Sequence, residues 1–225
     1  NIREIQSRIN SVKDTMKITN AMYMISSSKL TQAKKKLQDT EPYFYALQGE
    51  ISRILRHLPE LEHKYFDRRE KVPKDQRKIA SIVVTADKGL AGAYNHNIEK
   101  LEEEILAKPG IHKLFVVGEP GRHYFAKRGQ EIDTHFKYTV QEPTMHRARD
   151  ISGVLIEQFE QRELDEIYIV YTRMENSVQS EAEVIRLLPL ERSSFNEMKM
   201  PLNVHRESIE LYPSAEAVLD SIVPN

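Results

Sequence analysis

Ile2-Arg3-Glu4-Ile5-Gln6-Ser7-Arg8-Ile9-Asn10-Ser11-Val12 begins a stripe of apolar and small residues that decides how this chain is read. The stripe continues through Met16, Thr19, Tyr23, Ser26, Leu30, Ala33, Leu37, Thr40, Phe44, Leu47, Ile51, Ile54 and Leu58, in steps of three and four. A repeat of about 3.5 residues keeps one seam of a slightly underwound helix facing a partner helix. At about 1.5 Å per residue the rod would reach roughly 85 Å, longer than any small core needs. It asks for a mate of similar length, and no second stretch of this sequence supplies one.

Charge is uneven along the chain. The whole carries a net charge of −1 with 30% charged residues, so bulk polyanion binding is not indicated. Residues 1–40 nevertheless hold eight basic side chains (Arg3, Arg8, Lys13, Lys17, Lys29, Lys34, Lys35, Lys36) against three acids, Glu4, Asp14 and Asp39. Such a rod suits an acidic protein surface, or is simply a solvated helix face. Aromatics are not interleaved with the basic residues except at Tyr23, and the rest of the chain is not basic, so no nucleic acid is expected as a partner. There are no cysteines, which removes disulfides, thiolate metal sites and Cys nucleophiles. The longest apolar runs are strand-sized, and the opening residues do not read as a secretory signal. Membrane association is therefore expected to go through another protein.

Length and pattern point to a rod plus a compact α/β unit, with boundaries near 1–58, 59–78, 79–212 and 213–225. Pro42 falls inside the rod, and because the heptad register survives it, a kink is expected rather than a reversal. Glu60 to Lys78 is charge-dense and reads as a surface linker. Ile79–Ala86, Lys113–Val117 and Glu166–Thr172 are buried-strand runs, with helical patterns near Asn95–Leu106, Pro120–Arg128 and Met145–Arg162 between them. Strands spaced by helices argue for a mostly parallel, Rossmann-like sheet with right-handed crossovers. Ser177–Leu188, with Val178, Ala182, Val184 and Ile185, is expected to add an edge strand running the other way. Ser214 after Pro213 caps a helix beginning at Ala215, the expected start of a longer C-terminal element.

Candidate chemistry is sparse. Gly89-Leu90-Ala91-Gly92-Ala93-Tyr94-Asn95 lies at a strand-to-helix turn, where phosphate loops occur, but it fits neither the dinucleotide fingerprint nor the P-loop. Two glycines there serve tight backbone geometry. Asp87 and Lys88, in one turn at the carboxyl end of a strand where an α/β enzyme places catalytic groups, could form an acid/base pair. A loop ion pair or helix cap is the better explanation, with no convergent His or Ser nearby in the pattern. The eight histidines show no ligand spacing on a shared face, so no metal is expected, and no cofactor either.

Two blocks carry a resemblance. Arg3-Glu4-Ile5 through Ser11-Val12-Lys13-Asp14-Thr15, with Lys17-Ile18-Thr19-Asn20-Ala21-Met22-Tyr23-Met24-Ile25-Ser26-Ser27-Ser28-Lys29-Leu30, closely resembles the signature of the gamma subunit of F-type ATP synthases. Thr85-Ala86-Asp87-Lys88-Gly89-Leu90-Ala91-Gly92-Ala93-Tyr94-Asn95, Leu164-Asp165-Glu166-Ile167-Tyr168-Ile169-Val170 and Leu187-Leu188-Pro189-Leu190 match in order. The family usually has Ser-Asp-Arg where Ala86-Asp87-Lys88 stands, and alanines at Ser26 to Ser28. It also carries a long C-terminal helix after the equivalent of Pro224, wound antiparallel on the first, which this sequence does not contain. The Gly-Leu-Ala-Gly-Ala-Tyr-Asn match looks bacterial.

The resemblance implies a non-catalytic rotor shaft that couples proton flow through a membrane c-ring to ATP synthesis or hydrolysis on an alpha/beta hexamer. Its implied partners are the alpha and beta subunits, the epsilon subunit and the c-ring, at the cytoplasmic face of a bacterial cell membrane, peripherally. By the same likeness Arg8, Lys17, Met24 and Lys29 face the stator, while Ile5, Ile9, Val12, Met16 and Leu30 form the shaft seam. Two other readings of the residues stay open: a homodimeric coiled-coil scaffold with an α/β head, and an α/β phosphate-binding enzyme using Asp87.

Overall fold

The computed structural model describes residues 2–176, 179–196 and 210–225. The chain divides into two units, residues 1–51 and 52–225.

The described residues of the first unit are helical throughout. Helix α1 spans Ile2–His57, with Glu4 in its first turn and Arg56 and His57 in its last, each sign placed to favour the helix dipole. The helix passes through Pro42 without a reversal. Threonines normally compete with helical backbone, but here they turn inward on it: Thr15, Thr19, Thr31 and Thr40 donate to the carbonyls of Ser11, Thr15, Ser27 and Lys36. Thr19 and Thr40 belong to the stripe, so their hydroxyls are satisfied within the helix and can be buried without an orphaned donor.

The second unit is an α/β domain. Strands β1 (Lys78–Val84), β2 (Ile111–Val117), β3 (Glu166–Met174) and β4 (Ser180–Leu188) form one sheet in the order β2-β1-β3-β4. β1 pairs parallel with both β2 and β3, and β4 joins β3 antiparallel, as the sequence pattern led one to expect. Ser177 and Val178, included in the expected edge strand, lie outside the described residues. Among the described residues the unit also has helices α2 (Tyr94–Leu106), α3 (Glu119–Lys127), α4 (Met145–Glu160), α5 (Arg192–Asn196) and α6 (Ala215–Ile222).

Both faces of the sheet are covered, which is why its central strands read as unbroken apolar runs. One face carries Ala80, Ile82, Phe115 and Ile167 under Leu155 and Phe159 of α4. The other carries Val83, Leu114, Val116 and Val170 under Ile98 and Ile105 of α2 and Phe125 of α3. The start of α3 is pinned to the end of β1. Thr85 Oγ1 donates to the Val117 carbonyl (2.8 Å) and accepts from the Gly121 amide (3.2 Å). Gly118, at φ 93°, lets the backbone approach so closely that a Cβ would lie 2.4 Å from the Ala86 carbonyl oxygen.

The charge-dense stretch 59–78 is more than a surface connection. It contains two single 3-10 turns, Lys64–Phe66 and Lys74–Gln76, and buries Tyr65 in the core. Arg69 pairs with Asp165 at 3.0 Å with both side chains almost wholly buried. Its guanidinium also donates to the Leu164 and Phe159 carbonyls and lies 4.1 Å from the Phe159 ring centroid. Charge density misled because, although most of its charged side chains are exposed, Arg69 and Arg77 are spent on Asp165 and Glu166 and on backbone carbonyls, and Tyr65 beside them is core.

Candidate functional site

Of all the sequence-predicted features, the stripe of α1 has the clearest structural expression. Every side chain from residue 2 to residue 46 is exposed, save Lys34, which is half-buried. Ile5, Ile9, Val12, Met16 and Leu30 keep 45 to 65% of their surface in solvent. An apolar stripe of this length on one helix marks an interaction surface. An ideal straight helix drifts about 20° per heptad against a strict seven-residue repeat, so roughly eight heptads keep a straight seam only if the helix supercoils about a mate.

The other predicted residues fall on two lines beside that seam. Arg8 and Lys29 are three heptads apart and share one line; Lys17 and Met24 are one heptad apart and share another. All four are exposed, Met24 at 71%. Lys17 Nζ lies 3.2 Å from Asp14 Oδ1, a solvated pair one turn apart and so a weak one.

The glycine turn is built for shape. The Ala86 amide donates to Asn95 Oδ1 (2.9 Å), which staples the loop ends together, and Leu90 (φ 61°) and Gly92 (φ 59°) take the tight bend. Asp87 is engaged by the Val140 amide (3.1 Å), not by Lys88. The acid/base pair considered for Asp87 and Lys88 is therefore not assembled. Among the described residues no group of three or more His, Asp or Glu is arranged to hold a metal ion.

One polar cluster has no counterpart in the sequence pattern. His63 Nε2 lies 3.2 Å from Asp220 Oδ1, and its Nδ1 accepts from the Tyr65 amide. Lys64 Nζ bridges Glu160 (2.8 Å) and Asp220 (2.9 Å), and the Tyr65 hydroxyl donates to Glu160. The hydrogen bond from Lys64 holds the Glu160 carboxyl below its usual range, while burial and Glu160 push the Tyr65 phenol up to about 12. These residues come from three separated segments and tie the turn at 63–65 to α4 and α6. No local spacing announces such a cluster. Glu102 is different: it sits four residues after Ile98 and three before Ile105, on the buried face of α2, and that register was a usable signal.

Fold and exposed stripe together define a class: an α/β protein that carries a long coiled-coil helix for docking to other chains. The chain matches the ATP synthase family over residues 1–225. It is 41% identical over 226 residues to the ATP synthase gamma chain of Ruminiclostridium cellulolyticum, covering all of this chain and 76% of that one. The corresponding gamma chain of Acetivibrio thermocellus is 40% identical over 227 residues, covering 99% of this chain and 76% of its own length. In fold it is similar to a chain in the central stalk and c-ring structure of the Tetrahymena thermophila mitochondrial ATP synthase. That likeness has a TM-score of 0.63 at 18% identity, covering 92% of this chain and 86% of that one. The chain belongs to the gamma-subunit family of the F-type ATP synthases, the rotor subunits of the central stalk. No helix among the described residues is long and apolar enough to cross a membrane.

Proposed function

We propose that α1 is one strand of a two-stranded axle turning within an alpha/beta hexamer, and that residues 79–212 form the foot resting on a membrane c-ring beside an epsilon subunit. Ion flow at the ring would then drive rotation at the cytoplasmic face of a bacterial cell membrane, with the chemistry on ATP carried out by the surrounding subunits and none by this chain. The observation that carries this reading is the heptad stripe left bare from residue 2 to residue 46. Ile5, Ile9, Val12, Met16 and Leu30 serve as the seam against the second strand. Arg8, Lys17, Met24 and Lys29 face the stator.

A rotor acts on its catalytic partners only through contacts that differ in free energy between their open and closed states. It must also slide. Exposed ion pairs worth about 0–1 kcal/mol each suit both demands, because they bias without locking. Met24 adds a flexible, polarizable contact of the same shallow kind.

Met24→Lys tests the assignment. On this reading, membranes carrying the variant hydrolyse ATP but lose most ion pumping and synthesis, since a new fixed charge disturbs the sliding contact. Unchanged pumping and synthesis would place Met24 away from the stator. A second reading, a homodimeric scaffold, is favoured by the same bare stripe. It requires a stable dimer without other subunits, and native mass measurement of the purified chain and of its complexes separates the two.

A further inference from the structure

Glu102 lies on the second turn from the end of α2, and its side chain is completely buried between α2 and the sheet. Neither carboxylate oxygen has a hydrogen-bond partner among the described residues. A charge in such a place is costly, and an uncompensated carboxylate there keeps its proton instead.

The Ser81 hydroxyl and the Lys108 ammonium favour its charged form, and the other candidate groups around it are engaged elsewhere. α2 packs against β1, β3, β4 and α3. β1 turns Ile79, Ser81 and Val83 towards it, with no charged group. On β3 the Tyr168 hydroxyl donates to Glu166 (2.6 Å), and on β4 Arg186 pairs with Glu191. On α3 the Tyr124 hydroxyl donates to Glu103 (2.7 Å), and Arg128 pairs with the same carboxylate (3.0 Å). His112 of β2 is engaged by the Lys108 carbonyl (2.9 Å). On α2 itself Glu99, one turn before Glu102, is also buried and is itself raised by burial, so it adds no positive charge to compensate Glu102. Glu103 is exposed and serves Tyr124 and Arg128, and His96 is exposed near the start of the helix.

We propose that Glu102 is a proton-binding site of the folded domain: its carboxyl is protonated while α2 lies on the sheet, and loss of that proton frees α2 from it. Burial pushes the group up from the usual 4.5 to about 8, against weak opposition from the Ser81 hydroxyl and the Lys108 ammonium. Below about pH 4.5 the carboxyl is neutral whether α2 is docked or open, so pH has no leverage. Between about 4.5 and about 8 the open form ionises while the docked form does not, so docking weakens as pH rises. Above about 8 both forms are charged and the effect levels off. This proton site is independent of the rotor assignment and stands or falls on the domain alone.

Hydrogen exchange of the α2 amides in the full chain, corrected for intrinsic rates, tests it. The opening equilibrium of α2 is expected to rise about tenfold per pH unit between about pH 5.5 and 7 and to flatten towards about 8. Glu102→Gln should abolish that slope, whereas Glu104→Gln, at an exposed position of the same helix, should leave it intact. The same slope in Glu102→Gln, or none in the unsubstituted chain, overturns the proposal. Carboxyl carbon-13 titration of Glu102 in the unsubstituted chain gives an answer that needs no variant. A midpoint near 8 supports the site, and one within about a unit of 4.5 refutes it.

Discussion

Replacing Ile5, Ile9, Val12, Met16 and Leu30 together by alanine isolates what the bare stripe contributes. Alanine preserves helix propensity, so the change falls on the seam and not on the rod. Fully burying such a side chain is worth about 1.5–3 kcal/mol. These five retain 45 to 65% of their surface in solvent, so about half of that gain is still open to them. The amount is about 0.7–1.5 kcal/mol per residue, or about 4–7 kcal/mol for the set, and most of it is lost on trimming to alanine. The isolated chain should hardly notice, because exposed substitutions fall within about 0.5 kcal/mol each. Its melting temperature and helicity by circular dichroism should therefore hold steady. Binding of an apolar dye and self-association by sedimentation should both fall. In the assembled complex, the temperature at which the chain dissociates should drop, and ATP synthesis with it. A loss of ~10 °C or more in the isolated chain would refute the reasoning, since a change of ~1 kcal/mol moves a domain of this size by only about 2–4 °C. Unchanged dye binding and association would mean that the adhesive face lies elsewhere.

Arg69→Met should cost about 3–5 kcal/mol in urea denaturation, because it takes the ion-pair partner from the buried Asp165 carboxylate and the guanidinium from the Leu164 carbonyl. A loss under ~1 kcal/mol would return the 59–78 stretch to the status of a solvated connection. Gly118→Ala should destabilise the domain by at least ~2 kcal/mol, since its φ of 93° resists any side chain and the new Cβ would meet the Ala86 carbonyl at 2.4 Å. A chain with an unaltered thermal midpoint would show that the β1–α3 junction is looser than its geometry implies.

The rod and the strand order illustrate how far pattern alone reaches. A 56-residue helix announced itself because its heptad repeat is local and survives Pro42. The β1, β2 and β3 runs were legible because strands covered on both faces are continuously apolar, and alternating helices left parallel pairing as the economical topology. The antiparallel β4 followed from its change of pattern. The glycine turn was legible as geometry, and Asn95 supplies the staple. What pattern missed were contacts across long separations. Tyr65 and Arg69 lie in a stretch too charged to look like core, and their partners, Glu160 and Asp165, are some 95 residues away. His63, Lys64 and Asp220 form one cluster although nothing in their local sequence links them.

Periodicity by itself determined that this protein has a long helix with an unsatisfied seam and a mostly parallel sheet, while composition alone removed thiol chemistry. The helix and the sheet follow from which residues recur on one face, a property of neighbours in the chain. Only the tertiary structure decided which charges are buried in mutual pairs, which loop is core, and that Glu102 is buried where the nearby charged donors serve other partners. Those outcomes depend on which distant segments compete for the same partner, and that competition is settled in three dimensions.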